Sequence, residues 1–378
     1  MKIQALFMLL LLTFTAAAQN TEVKLRDLAV PASPAFILVD AAASMVQSPN
    51  TPKAFVLGVT QSFAQSGGFP QQYSAEFAPY WWLNPSNRNI YNLMGLAVPS
   101  KDTALKIPGK GNPFSGLKFT SVSIGFLNKD MIPDTSSASQ MIVSAGVHTT
   151  VLKIYQKGYA QKMAEKIKDW HDEAQQEMTE NIQLLSELSR HPERSGEIIS
   201  KFKPLNTADI VKEINELVNQ KPLLSWDISA AYATYGINNL NWKTGRVAFW
   251  TGISSYLPFY LKHNKQQINY INLDLSFRYL ADNYQKNTEG AVVKANCVDI
   301  GGKIALELEP VSIGIESVYR FGAASGNTEN RTLGVFNYKI AGNMFVVGSF
   351  GKNFSAPNKL IALFGINWGF GNESVKLP

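Results

Sequence analysis

The chain has one cysteine, Cys297, in 378 residues, so no disulfide can form within it. Charge is scarce as well: Asp, Glu, Lys and Arg make up 17% of the residues, against about a quarter in ordinary soluble domains. The 35 basic residues outnumber the 29 acidic ones for a net charge of +6, but they are scattered. Without a dense basic block, nucleic-acid recognition lacks its electrostatic footprint. Beyond the N-terminus no stretch gives 18 continuous apolar residues, which excludes helical membrane spans on length. No Gly-rich phosphate loop and no cysteine metal pair is present, so no cofactor and no metal are expected. What the chain has in quantity is aromatic side chains, 11% of the total, with 7 Trp and 14 Tyr.

The first residues, MKIQALFMLLLLTFTAAAQ, pair Lys2 with an apolar run and then small residues at Ala16 and Ala18. That is the pattern of a cleaved secretory signal over 1–18. Residues 19–52 are punctuated by proline and show neither helical nor strand period. They read as a segment that stays in the periplasm or packs into the lumen of something larger, with a short helix near 41–46.

From Lys53 onward, runs of about ten residues with period two recur between turn residues. Strands are expected near 53–64, 72–82, 117–127, 140–153, 224–235, 246–256, 269–281, 298–308, 311–321, 331–341, 343–351 and 359–370. In 269–281, Ile271, Leu273, Leu275, Phe277 and Tyr279 share one face, and Asn272, Asp274, Ser276 and Arg278 the other. In 359–370 the large face runs Leu360, Ala362, Phe364, Ile366, Trp368, Phe370. A soluble sandwich would turn the apolar faces inward; a membrane barrel turns them out to lipid. The polar faces are rich in Gly and Ser rather than Lys and Glu. Aromatics gather at run ends, at Tyr80, Trp81, Trp82, Trp226, Tyr256, Trp368 and Phe370, where a membrane barrel carries its girdles. The expected fold is therefore mainly β: a transmembrane antiparallel up-and-down barrel of about 12 strands, with strands 1–4 in 53–154, strands 5–12 in 223–370 and a tail over 371–378.

With both ends of the barrel sequence in the periplasm, the connections at Glu309-Pro310 and Gly342-Asn343 are the short periplasmic turns. The long connection 83–116 falls on the same side, so either it holds its own small element, with a helical turn over Asn89–Leu96, or the strand count fails there. Residues 155–222 change period. Tyr159, Met163, Ile167, Trp170, Ala174, Met178, Leu185 and Leu188 line one helical face, and Ile210, Ile214, Leu217 and Val218 another. Two such stripes bury each other as an αα-hairpin, expected in the periplasm between strands 4 and 5, with entry into the lumen as a plug the alternative. Met163, Ile167, Trp170 and Met178 are its candidate partner-binding residues.

The inward charges are expected to be Glu76, Asp227, Asp274, Arg278, Lys303, Glu307, Glu316 and Arg320. They either line a polar, solute-conducting lumen or pair and seal a narrow barrel. A hydrolase would need a Ser–His pair with an orienting group. Ser144 and His148 share a strand face, but no Asp or Asn is placed in sequence to orient His148. His171 lacks ligands at helical spacing. Catalysis is not the expectation.

The signal sequence, the alternating runs and the last strand together resemble Gram-negative outer-membrane β-barrel proteins, over about residues 53–370 apart from the helical insert. The most specific match is the assembly signal of that class, Gly365 followed by Trp368 and Phe370; the chain differs in having Leu363 at the head of the motif and GNESVKLP after it. The resemblance implies outer-membrane lipid and the outer-membrane assembly machinery as partners. It leaves three functions in order: a narrow channel or small-solute uptake protein; a non-conducting scaffold or assembly factor whose helices bind a periplasmic protein; and an outer-membrane lipid hydrolase.

Overall fold

A computed structural model describes residues 22–25, 35, 38, 46–47, 52–66, 69–70, 72–84, 89–96, 111–129, 131–132, 140–202, 208–237, 241–261, 264–287, 289, 291–324, 326, 328–341, 344–354, 360–368 and 373–376. Two short strands come first, β1 (Glu22–Leu25) and β2 (Val46–Gln47). There follow β3 (Gln72–Phe77), β4 (Ser121–Lys129), β5 (Gln140–Ile154), β6 (Leu224–Ile237), β7 (Asn241–Leu261) and β8 (Asn264–Lys286). The series continues with β9 (Val292–Leu308), β10 (Val311–Phe321), β11 (Glu329–Ala341), β12 (Met344–Lys352) and β13 (Leu360–Trp368), and ends with β14 (Glu373–Lys376). Strands β3 to β13 form one antiparallel up-and-down sheet in sequence order, eleven strands in all. Strand β2 adds two residues parallel to β3 at one edge, and β13 is the other edge, so the hydrogen-bonded ladder is open. Strand β14 pairs with β1 in a separate two-stranded sheet that joins the two ends of the described chain.

The strand expected over 53–64 is a helix, Pro52–Gln65. Phe55, Leu57 and Val59 alternate by chance in a stretch that is apolar nearly throughout. Pro52 at the first helical position, where no N–H is needed, was the available signal. The helix satisfies its own hydroxyls, Thr60 donating to the Val56 carbonyl and Ser66 to the Ser62 carbonyl, both at 2.7 Å. The helix read near 41–46 falls outside the described residues apart from Val46, which lies in β2.

The two faces of the sheet differ in a single direction. On the exposed face, directly paired positions run Leu257, Ile271, Leu306, Ile313, Phe336, Gly348 and Phe364 across seven strands. The next row runs Leu273, Ile304, Ile315, Gly334 and Phe350. All the large side chains in these rows are exposed, up to 76% for Phe364. The opposite face buries Ser123, Ser144, Ser225, Ser229, Asn272, Asp299 and Arg320. The exposed face is apolar and one stretch of the buried face is polar, the reverse of a soluble sheet.

Residues 155–223, between β5 and β6, hold the helices. The first, Tyr159–Arg190, follows a left-handed Gly158 (φ 80°) and runs 32 residues, about 48 Å. A short helix, Ser195–Ser200, follows it, and Ala208–Val218 is the third. Tyr159, Met163, Ile167 and Trp170 pack on Val211 and Ile214, and the cluster continues into Trp81, Ile90, Tyr91, Met94 and Leu96 from the connection between β3 and β4. Tyr159 donates to the Leu217 carbonyl at 2.9 Å, and burial holds its hydroxyl well above the ordinary phenol value. The long connection thus does carry its own elements, Pro79–Leu83 and Ile90–Leu93, and they complete one apolar core with the insert at one end of the sheet.

Candidate functional site

All eight expected inward charges lie on the buried face, and register rather than chance pairs them. In the β8–β9–β10 ladder, Asp299 stands directly between Arg278 and Arg320, and Lys303 directly between Asp274 and Glu316. The two rows have opposite charge order, plus-minus-plus and minus-plus-minus. Arg278 reaches Asp299 at 2.6 and 2.9 Å, and Arg320 reaches it at 2.8 and 2.9 Å. Lys303 pairs with Asp274 at 2.6 Å, while Glu316 accepts from Arg331 of β11, also at 2.6 Å. Phe354, just after β12, lies 3.9 Å beneath the Arg320 guanidinium. Asp299 and Arg331 were not among the expected charges. Asp299 has the same strand parity as Lys303, which was the signal for it.

Toward the insert the contacts change. Glu307 pairs with Lys221, whose ammonium sits 4.6 Å from the Tyr256 ring centroid and whose backbone N–H donates to the Tyr270 hydroxyl at 3.2 Å. Ser121 donates to Glu76. Asp227 accepts from Thr150 at 2.6 Å and lies 3.3 Å from His148 Nε2. The expectation that nothing orients His148 is corrected: Asp227 does, brought beside it by the β5–β6 pairing across the whole insert. Ser144, in contrast, donates to the Gly125 carbonyl at 3.4 Å and is fully enclosed. His171 is exposed on the long helix. Among the described residues no three His, Cys, Asp or Glu side chains gather to hold a metal ion.

Farther along the same buried face the lining is apolar. Leu127, Met131, Ile132, Ile142, Ala231, Ala233, Tyr235, Ala248, Leu280 and Cys297 form one cluster, and Leu38 from the N-terminal segment is part of it. Tyr235 lies over Gly245, where a Cβ would stand 2.7 Å from its ring. Ala35 and Leu38 are fully buried.

Of the candidate partner-binding residues, Met163, Ile167 and Trp170 are buried in the insert's own core, so only Met178 is presented, 60% exposed. Three of the expected girdle aromatics are also placed elsewhere. Trp81 is in the insert core, Tyr80 packs against that core, and Tyr256 is beside Lys221; Trp226 is exposed. In the last strand Gly365 pairs with Val347 and Trp368 with Met344, while Phe370 falls outside the described residues. No protein-family profile matches the chain, and no curated protein or solved structure does either.

Proposed function

We propose that the chain is an outer-membrane-type β-barrel, closed at rest, that acts as a narrow channel or small-solute uptake protein, with its helical insert on the periplasmic side. The inverted sheet carries this reading. Burying one Leu, Ile or Phe side chain is worth roughly 1.5–3 kcal/mol, and two continuous exposed rows of them on a water-facing surface would be far larger than the apolar patches soluble monomers show. Acyl chains remove that cost. Exposed aromatics flank the aliphatic rows, Trp226 and Tyr338 toward the insert and Trp242, Tyr279 and Tyr319 toward the other end. From Val311, opposite Tyr338, to Tyr319 is about 26 Å of strand at roughly 3.3 Å per residue, close to the height of an outer-membrane apolar band. Closure is supported by Cα atoms of β13 and β2, the two edges, lying within 8 Å.

The test is extraction and reconstitution. The protein is expected to need detergent for extraction, to migrate as a compact species before heating and as an unfolded one after, and to conduct only in brief openings in planar bilayers. A monomer that stays in solution without detergent would overturn the reading.

The scaffold reading has one observation of its own. Beyond the reach of Ala208–Val218, the stripe of the long helix continues with Met178 and Ile182 exposed at 60% and 55%. On this reading Met178→Asp with Ile182→Asp releases a co-fractionating periplasmic protein without altering the barrel. Unchanged co-fractionation removes the reading.

A further inference from the structure

A recess opens on the exposed face of the sheet, across β11, β12 and β13. Small and large residues alternate there by register. In one row Gly334, Phe350 and Ala362 are directly paired; in the next row Phe336, Gly348 and Phe364 are. The alternation leaves a groove of about 370 Å³, with Gly334, Gly348 and Ala362 as its floor and the three rings as its walls. A methyl added at Gly334 would meet the Phe350 carbonyl oxygen at 3.6 Å, an ordinary contact, so the floor has open space above it. Lys352 follows Phe350 by two residues on the same side of β12, roughly 7 Å farther from the insert. It is exposed, and its ammonium donates to Asn330 Oδ1 at 2.6 Å, level with Tyr319 among the aromatics of that end. Beside it the Ser317 and Thr332 hydroxyls lie 3.2 Å apart, and whichever accepts keeps its own hydrogen for another acceptor. Among the described residues Asn330 is the polar partner of Lys352, and the residues of β10 to β13 that share its side of the sheet include no Asp or Glu.

We infer that this groove seats one anionic phospholipid, with an acyl chain against Phe336, Phe350 and Phe364 and the phosphate on Lys352 and the Ser317–Thr332 pair. The inference rests on the barrel reading above and singles out one lipid of the surrounding shell. Rings standing over a backbone floor touch a chain on several sides, and a groove left unfilled forfeits those contacts. The lysine selects the head. An ammonium at the level of the flanking aromatics, with no carboxylate beside it, favours a head of net negative charge over one whose own cation opposes it. A second copy of the chain would cover the rings, but the same strands of that copy bring Lys352 no counter-charge.

The test maps lipid contacts on the full chain. Vesicles carry phosphatidylglycerol with a photoactivatable acyl chain, or its phosphatidylcholine counterpart, and adducts are located by mass spectrometry. Phosphatidylglycerol should label β11 to β13 about 5-fold more than phosphatidylcholine does, the effect of one lysine near an anionic head, and more than it labels β8 and β9. Lys352→Gln should lower the phosphatidylglycerol yield to the phosphatidylcholine level. Gly334→Leu, which fills the groove, should lower both, and Ile271→Val should change neither. In roughly 1 M salt, where charge acts over only about 3 Å, the wild type should lose its preference between the two lipids. Adducts spread evenly over the exposed rows would leave the face in lipid and overturn the seat. Adducts absent from every exposed row would overturn the barrel reading instead. Labelling concentrated in the groove but equal for both lipids would overturn the anionic assignment. An unlabelled groove in a chain that sediments as a dimer in micelles would give the groove to a second copy, and overturns the inference too. Should either variant lose the heat-modifiable form, the wild-type map and its salt dependence decide.

Discussion

Asp299 is buried between two arginines, and its value lies in what its removal would strand. Asp299→Ala removes the carboxylate that Arg278 and Arg320 share, and breaking a buried charge pair of this kind costs about 3–5 kcal/mol. Urea unfolding in micelles should show a loss of that size, partly restored by Arg320→Met in the same chain. An unchanged midpoint would mean that water enters the site and solvates the pair. These charges were partly legible. Period two put Arg278, Lys303, Glu316 and Arg320 on one face, and the same parity extends to Asp299. His148 and Asp227 were not legible as neighbours. Each was visible alone, but the residues between them include the whole insert, and only strand register brings them within 3.3 Å. Met163, Ile167 and Trp170 carried an ambiguity of another kind. An apolar helical stripe looks the same whether it meets a partner or its own chain, and here Ile214 and Val211 cover it.

The insert is an element with its own core, and its stability separates from that of the sheet. Ile214→Ala removes a fully buried side chain and should cost the insert about 2–5 kcal/mol. Limited proteolysis should then cut between 159 and 218 while the sheet stays protected. At the insert's tip, Lys201 and then Arg194 hold the Glu197 carboxyl below its ordinary value of 4.5. A depressed carboxylate contributes stability above its unfolded value and loses it as pH falls through the folded one. Amides of Ser195–Ser200 should therefore exchange relatively faster at pH 3 than at pH 7, after correction for intrinsic rates, with the core of Tyr159–Trp170 unaffected. Equal protection would place the tip's stability in packing of Ile198 alone. Helical period announced this element in the sequence. It did not announce Pro52–Gln65, where near-continuous apolar residues fit a strand as well as a helix and only Pro52 argued otherwise.

For the molecule as a whole, the orientation of the two faces is the property everything else depends on. It was readable because the polar faces are rich in small residues, too thinly charged for an ordinary solvated surface. Of the barrel expected from the sequence, the ladder shows the antiparallel up-and-down sheet with both edges open, since closure depends on how two distant edges meet. If lipid covers the exposed face, Ile313→Arg should lower the stability of the vesicle-inserted protein by about 2–4 kcal/mol, and Ile313→Val by far less. Similar small effects from both would indicate water there. The pairing of β1 with β14 reaches further than its four residues suggest. Among the described residues no other strand pairing spans so much sequence, so this pairing carries the largest loop-closure cost and is expected to form late.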